Sequence, residues 1–347
     1  MQVGIFDHVE RADRPIATTF DERLKFAAAA DEAGIYCLHV AEHHATPLNL
    51  VPVPGIYLGA VARATKRMRM GPLVYLLPLY SPLRLAEEIC ILDHLSNGRL
   101  DVGVGRGVSP FELAYHKVAH ADSRDIFIDA FNCMTTALSN DTFDYAGKHY
   151  TYTNVPMALR PLQQPMPPFW YGSSNTTGAA WAGEHGMHFV ANGPTEYAKV
   201  NIDAYREALG KRGGAAVPKP EFRGGAAIGA LRHIVIAETD AEARRLAKTN
   251  IEYHVSHLNW LRKMHAQNEA QVRGLVPRGV TFEDWERDGM AIVGTPDKVR
   301  AAIEEQASVL GINYLLSYLF FGTLTLEQAL RSLKLMSTEV MPKIAHL

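Results

Sequence analysis

The sequence predicts an α/β protein folded as one (β/α)₈ TIM barrel with insertions, in a single domain over 1–347. Three observations carry this expectation. Short apolar runs alternate with helical patterns in the order strand, helix, strand; their connections are short; and the runs number eight, near residues 3, 35, 70, 100, 169, 187, 230 and 314. Repeated strand, helix, strand units with short connections give parallel strands joined by right-handed crossovers. Eight of them over this length suit a closed barrel better than an open sheet. The open sheet of dinucleotide-binding proteins is the competing architecture. No Gly-x-Gly-x-x-Gly opens the first crossover, and Gly103-Val-Gly105-Arg-Gly107 has the wrong spacing and comes too late in the chain.

Taken in order, residues 3–6 are the first apolar run and 20–33 the first helical pattern, which Gly34 ends before a strand over 35–40. The third unit has a helix over 56–65 and a strand over 70–76. The fourth has a helix over 82–95, Gly98 and a strand over 100–104. A helix follows over 123–139, and 143–152, rich in Tyr and His, reads as a hairpin or an extended excursion. After Pro165, a strand at 169–172 leads into a helix starting near Thr176 and a strand at 186–190. The last two strands fall at 226–237 and 313–318. A helix opening with Thr295-Pro296, an N-cap threonine before a first-turn proline, feeds the final one. Two stretches, 140–165 and 240–292, exceed ordinary crossovers and read as insertions, the second near a barrel mouth.

Composition excludes several function classes. Thirty-five Lys plus Arg against 37 Asp plus Glu, with no long basic run, argue against a nucleic-acid partner. No stretch approaches 18 uninterrupted apolar residues, and the N-terminus turns polar at Asp7 without the features of a signal peptide, so no membrane association and a cytoplasmic location are expected. Cys37, Cys90 and Cys133 are odd in number, widely spaced and set among apolar residues, as reduced core cysteines are.

Three clusters could carry chemistry. Residues 93–107 join a helix end to a buried strand that finishes on Arg106 between two glycines. This puts a fixed positive charge at the carboxyl end of a strand, where α/β proteins bind phosphates and cofactors. Glu42-His43-His44 follows the second strand, so an acid and two imidazoles stand on the same rim, where one imidazole can serve as base or hydrogen-bond donor. The metal alternative would draw on His8, His116 or His120. The chain has no His-x-His pair or close Asp and Cys set to complete a cage, and no metal is expected. The third cluster, 171–177, offers hydroxyls and a glycine between a strand and a helix start, able to converge on one dianion or simply to cap the helix. Gly-x-Ser-x-Gly is absent, which disfavours a serine hydrolase.

Glu42-His43-His44 and the blocks 64–78, 81–88 and 92–107, in that order, are similar to the bacterial luciferase-like flavin monooxygenases. The similarity is dense over 1–107 and resumes at 168–183 and 293–299. The resemblance implies a barrel that binds reduced FMN, reacts it with O₂ to a C4a-hydroperoxide and oxygenates a small organic substrate. The reduced flavin would come from a separate NAD(P)H-dependent flavin reductase. It puts the family's active-site histidine on His43, with His44 beside it, and the phosphate-binding arginine on Arg106. The next phosphate-binding segment falls on Gly172, Ser173, Ser174 and Thr176, with Thr177 adjoining. The strand beneath the isoalloxazine falls on Leu73 and Val74, where members often hold a non-prolyl cis peptide. A homodimer through the helices after the early strands is implied as well.

Departures bear on the activity. The light emitter's reactive cysteine is replaced by Gly105, and its long substrate-covering loop is not recognisable in 268–292, so light emission is not implied. His8, Tyr75, Phe111, Tyr115 and His116 are the candidates for the substrate half of the pocket. Relatives of the same fold that use a deazaflavin as hydride carrier are the alternative, and a non-catalytic flavin-binding subunit is a third reading, against which His43 and Arg106 speak. Oxygen chemistry at a flavin needs an apolar, water-poor cavity with one neutral imidazole, and 73–77 with His43 would supply part of it.

Overall fold

The computed structural model describes residues 1–266 and 280–347. Its first half alternates β1 (Gln2–Asp7), α1 (Ile16–Glu32), β2 (Cys37–Val40), α2 (Pro54–Ala64), β3 (Arg69–Pro72), β4 (Tyr75–Leu76), α3 (Pro82–Leu95) and β5 (Val102–Gly105). After α4 (Pro110–Tyr115) and α5 (Ser123–Ser139) come the antiparallel hairpin β6 (Thr142–Ala146) and β7 (Thr151–Pro156). The pattern then resumes with β8 (Phe169–Ser173), α6 (Thr176–Glu184), β9 (His188–Ala191), α7 (Thr195–Arg212) and β10 (Ile228–Ile236). Next are α8 (Asp240–Leu258), α9 (Trp260–His265), a helix Phe282–Arg287, β11 (Ala291–Gly294), a helix Pro296–Leu310 and β12 (Tyr314–Tyr318).

The strands hydrogen-bond in the order β3, β2, β1, β12, β10, β9, β8, β5, all in parallel. Closure comes at the remaining seam, where the Met70 N–H donates to Arg99 O at 3.0 Å and the Asp101 N–H to Met70 O at 2.8 Å. These eight strands are the predicted barrel. The seam requires glycine: a Cβ on Gly71 would lie 1.7 Å from Asp101 O, and one on Gly103 2.3 Å from Pro72 O. Only bare backbone lets β3 and β5 approach so closely.

Three expectations are corrected. The strand expected over 70–76 is broken into β3 and β4 by a cis Leu73–Val74 peptide, and β4 pairs with the end of β5 instead of continuing alongside β2. An unexpected strand, β11, begins at the end of the stretch 240–292 and adds in parallel to β10. Of that stretch, 267–279 lies outside the described residues, so the expectation about a covering loop in 268–292 falls partly there. Thr295 does cap the helix Pro296–Leu310 in position, but its side chain makes no cap bond, and its N–H donates to Asp240 Oδ1 at 3.2 Å.

The layer between strands and helices is apolar, with Phe26, Val61, Ile89 and Phe189 among the fully buried side chains, while inside the barrel His39, Trp170, His188 and Tyr314 pack ring against ring and His39 Nε2 lies 3.0 Å from the Tyr314 hydroxyl. Cys37, Cys90 and Cys133 are buried free thiols. Among the described residues no helix is long and apolar enough to cross a membrane.

Candidate active site

The carboxyl ends of β1, β2, β5 and β8 bring His8, His43, His44, Arg106 and the segment 172–177 to one rim. Past β2 the two histidines are sorted by different acids. His44 Nε2 lies 2.9 Å from Glu42 Oε1, and Glu42, fully buried, also accepts the Leu76 N–H at 3.0 Å and the Tyr80 hydroxyl at 2.9 Å. That network ties the His44 loop to β4. His43 faces another carboxylate: its Nδ1 stands 3.2 and 3.3 Å from the two oxygens of Glu112 on α4. Glu112 Oε2 also accepts the His44 backbone N–H at 3.0 Å. The His43 side chain stays 24% exposed, open enough to meet a reactant.

Leu73 and Val74 occupy the gap between the ends of β5 and β8. The Leu73 N–H donates to Val40 O at 2.7 Å. A Cβ on Gly105 would lie 2.4 Å from Val74 Cγ2, and one on Gly172 3.9 Å from Leu73 Cγ. Val74 thus takes the space that a side chain at position 105 would need.

Beyond β5, Arg106 and Arg124 line a cleft of about 250 Å³ with Phe127, Tyr171, Asn175, Thr177 and Gly178. No acidic side chain is part of that lining. Burial raises the pKa of Tyr171, and the charges of Arg106 and Arg124 pull it the other way, so both guanidinium groups act on the same space. The cleft opens at the amino end of α6, where Asn175 Oδ1 accepts the Gly178 N–H at 2.9 Å as N-cap. Two cations beside a helix N-terminus, without a carboxylate, fit a phosphate dianion. Of the residues expected at a phosphate, Thr177 is part of the lining, whereas Gly172, Ser174 and Thr176 are exposed without being part of it. Ser173 is buried, its hydroxyl donating to Asn175 O at 2.9 Å and accepting the Asn175 N–H at 3.1 Å, so it shapes the loop.

The residues expected around a substrate fall in four places. His8 is buried and stacks on His43, with ring centroids 5.4 Å apart. Burial first, then the charges of His254, His43 and His233, hold its pKa well below the ordinary value, so it is neutral. Behind it, α8 brings His254 to Glu10, Nδ1 to Oε2 at 3.2 Å, and the Gly322 N–H reaches the same oxygen at 2.8 Å. Burial opposes the charge on Glu10, but His254, His257 and that N–H outweigh it and bring its pKa down to about 2. Phe111 and Tyr115 lie on α4, where Phe111 stacks on His265 of α9 at 4.5 Å and the Tyr115 hydroxyl bonds to the same imidazole. His116 sets its ring edge against His44 at 4.5 Å. Tyr75 is fully buried with its hydroxyl on Glu88 of α3 at 2.7 Å, which places it in the layer between strand and helix and not beside His43.

Sequence reasoning missed Glu112, Arg124, Asn175, Glu10 and His254. Signals existed for Asn175, which lies in the 171–177 cluster and is a favoured N-cap residue, and for Arg124. Arg124 sits in the first turn of α5, where the helix macrodipole disfavours a cation, although Asp122 and Asp125 beside it offset that cost and weaken the signal. Among the described residues no group of three or more His, Cys, Asp or Glu side chains could hold a metal ion.

The model of the luciferase-like monooxygenase family matches residues 1–313. The protein y4wF of Sinorhizobium fredii is 34% identical over 341 residues, covering 98% of this chain and 96% of that one. The oxygenase component of the flavin-dependent trigonelline monooxygenase of Acinetobacter baylyi is 26% identical over 270 residues, 73% of this chain and 70% of the relative. Among solved structures, the monooxygenase RslO1 from Streptomyces bottropensis superimposes with a TM-score of 0.85 at 25% identity, over 99% of both chains. With a family model that spans most of the chain and a relative alike over nearly its whole length, the chain belongs to the luciferase-like monooxygenases.

Proposed function

We propose that this chain is the oxygenase component of a two-component monooxygenase, which takes reduced FMN from a separate NAD(P)H-dependent reductase and places one oxygen atom of O₂ on a small organic substrate. Its family makes it a flavin-dependent oxidoreductase of the monooxygenase type. The observation that carries the finer reading is the juxtaposition of two sites on one rim: a two-arginine cleft at the start of α6, and an acid-paired imidazole after β2. The name of the trigonelline enzyme, an oxygenase component, supports a division of labour with a reductase.

When bound, FMN supplies the activation of O₂. The residues of this chain do the rest. Arg106 and Arg124 would hold the phosphate by charge-assisted bonds, with the Thr177 hydroxyl and the free N–H groups of the first turn of α6 as further donors, and Ser174 and Thr176, exposed on the same turn, would be within the segment that approaches it. Leu73 and Val74 form an apolar floor that excludes water. His43 holds or moves a proton at the reacting atoms, while His8 stays neutral beside it.

Fluorescence titration of the purified protein with oxidised FMN, photoreduced FMN and a deazaflavin tests the cofactor. Preferred binding of the deazaflavin would turn the reading to hydride transfer. His43→Ala is expected to bind reduced FMN within about threefold of the parent, yet to lose product by roughly 10²-fold and release hydrogen peroxide instead. Full coupling of reduced flavin to product in that variant would make His43 structural, and a loss confined to His44→Ala would move the role by one residue.

A further inference from the structure

We propose that Glu112 is the positioning residue of this site: it takes the Nδ1–H of His43, so that the neutral ring offers its Nε2 lone pair to the reaction. The inference rests on the reading of His43 as the proton-handling group. A carboxylate can only accept hydrogen bonds when ionised, so a neutral imidazole that bonds to it through Nδ1 must carry its proton there. Both Glu112 oxygens lie within 3.3 Å of His43 Nδ1, and one of them also accepts the His44 N–H at 3.0 Å. One side chain therefore fixes both the ring and the backbone that follows it.

The carboxylate is itself held. Ser109 caps α4 by accepting the Glu112 N–H at 3.3 Å. On the same short helix, Phe111 and Tyr115 grip His265 of α9. Glu112 is 4% exposed. Burial opposes its charge, but the hydrogen bond and charge of His43, the His44 N–H and Ser109 outweigh that cost and keep its pKa below the ordinary carboxylate value. The other titratable groups around the pair do not compete for the bond. His8 stacks on the face of His43, the His44 ring is taken by Glu42, and His116 sets its edge against His44. The arrangement is an acid that orients a base, the logic by which a buried carboxylate selects an imidazole tautomer in hydrolytic triads.

The test reads the tautomer directly. Protein labelled with ¹⁵N in histidine is examined by long-range ¹H–¹⁵N correlation above the pH at which the ring is neutral, with the His43 signals identified by their loss in His43→Gln. The expected result is a His43 protonated at Nδ1 in the parent. In Glu112→Ala the proton moves predominantly to Nε2, reduced FMN still binds within about threefold, and product formation falls by roughly 10²-fold in kcat with substrate KM little changed. Glu112→Gln, whose amide oxygen can still accept, should recover much of the parent's tautomer and rate. An Nε2-protonated His43 in the parent, or an unchanged tautomer in Glu112→Ala, overturns the proposal. Should Glu112→Ala fail to fold, the parent spectrum and Glu112→Gln decide it. If His43→Ala retains full coupling while the spectra show the Nδ1–H bond, the reading of His43 falls and the assignment of Glu112 as its orienting partner stands.

Discussion

Replacing the two arginines of the cleft separately should have unequal effects. Arg106 leaves the end of β5 and is partly buried, whereas Arg124 is exposed at the start of α5. Both line the same cleft. A charge-assisted bond from a partly buried guanidinium contributes about 2 kcal/mol, so Arg106→Ala should weaken reduced FMN roughly 30-fold. An exposed guanidinium is screened by water and salt, and Arg124→Ala should cost about 0.5–1 kcal/mol, a two- to fivefold loss. Riboflavin, which lacks the phosphate, should bind all variants within about twofold of the parent. The assay is fluorescence titration with both flavins at low and high salt. Raising salt should erode the contribution of Arg124 more than that of Arg106. The double variant should lose less than the two single losses combined, because the two cations share one dianion. Equal losses for FMN and riboflavin would refute the assignment of the cleft to phosphate. A larger loss from Arg124 than from Arg106 would refute the burial argument.

Acid should unfold the protein early. Burial holds His8 and His233 far below their ordinary pKa and brings His39 to about 4 and His188 to about 3, so the unfolded chain binds more protons as the pH drops below about 6.5. Stability should fall from there towards pH 4, by up to about 5 kcal/mol per pH unit if all four rings contribute, and Glu10 adds a further loss between about 4.5 and 2. Urea midpoints that stay level from pH 7 to pH 5 would contradict this. At the barrel seam, Gly103→Ala would set a Cβ 2.3 Å from Pro72 O and 2.9 Å from Leu73 Cα, both backbone, and should cost about 3 kcal/mol. Gly59→Ala in α2, with nothing within 4 Å, should be neutral or stabilising by up to about 1 kcal/mol, both variants being read from urea midpoints at pH 7. For assembly, α2 with its cap and α3 expose Val53 (44%), Ile56 (77%), Ile91 (49%) and Leu95 (42%), and we propose that this face joins two copies of the chain. Ile56→Asp should shift a dimer to monomer in light scattering, and a parent that is already monomeric at micromolar concentration removes the proposal.

Sequence alone determined the eight barrel strands and their parallel order, because each is a short apolar run bounded by turn residues and a helical pattern, a signal carried by neighbours along the chain. It also put Glu42, His43, His44 and Arg106 on one rim, since strand ends in such a barrel share a mouth. What it could not determine depends on residues far apart. Glu112 meets His43 across 69 positions, and nothing in the local pattern of α4 separates an inward Glu112 from an outward Tyr115. Arg124 reaches the cleft beside Arg106 only through the packing of α5 beside α6, and Tyr75 turns to Glu88 because α3 lies behind β4. The break at Leu73–Val74 likewise depends on β5 arriving bare of side chains at Gly103 and Gly105. Periodicity reports which face of an element is buried, while the partner of a single polar atom is decided by which elements the closed barrel sets side by side.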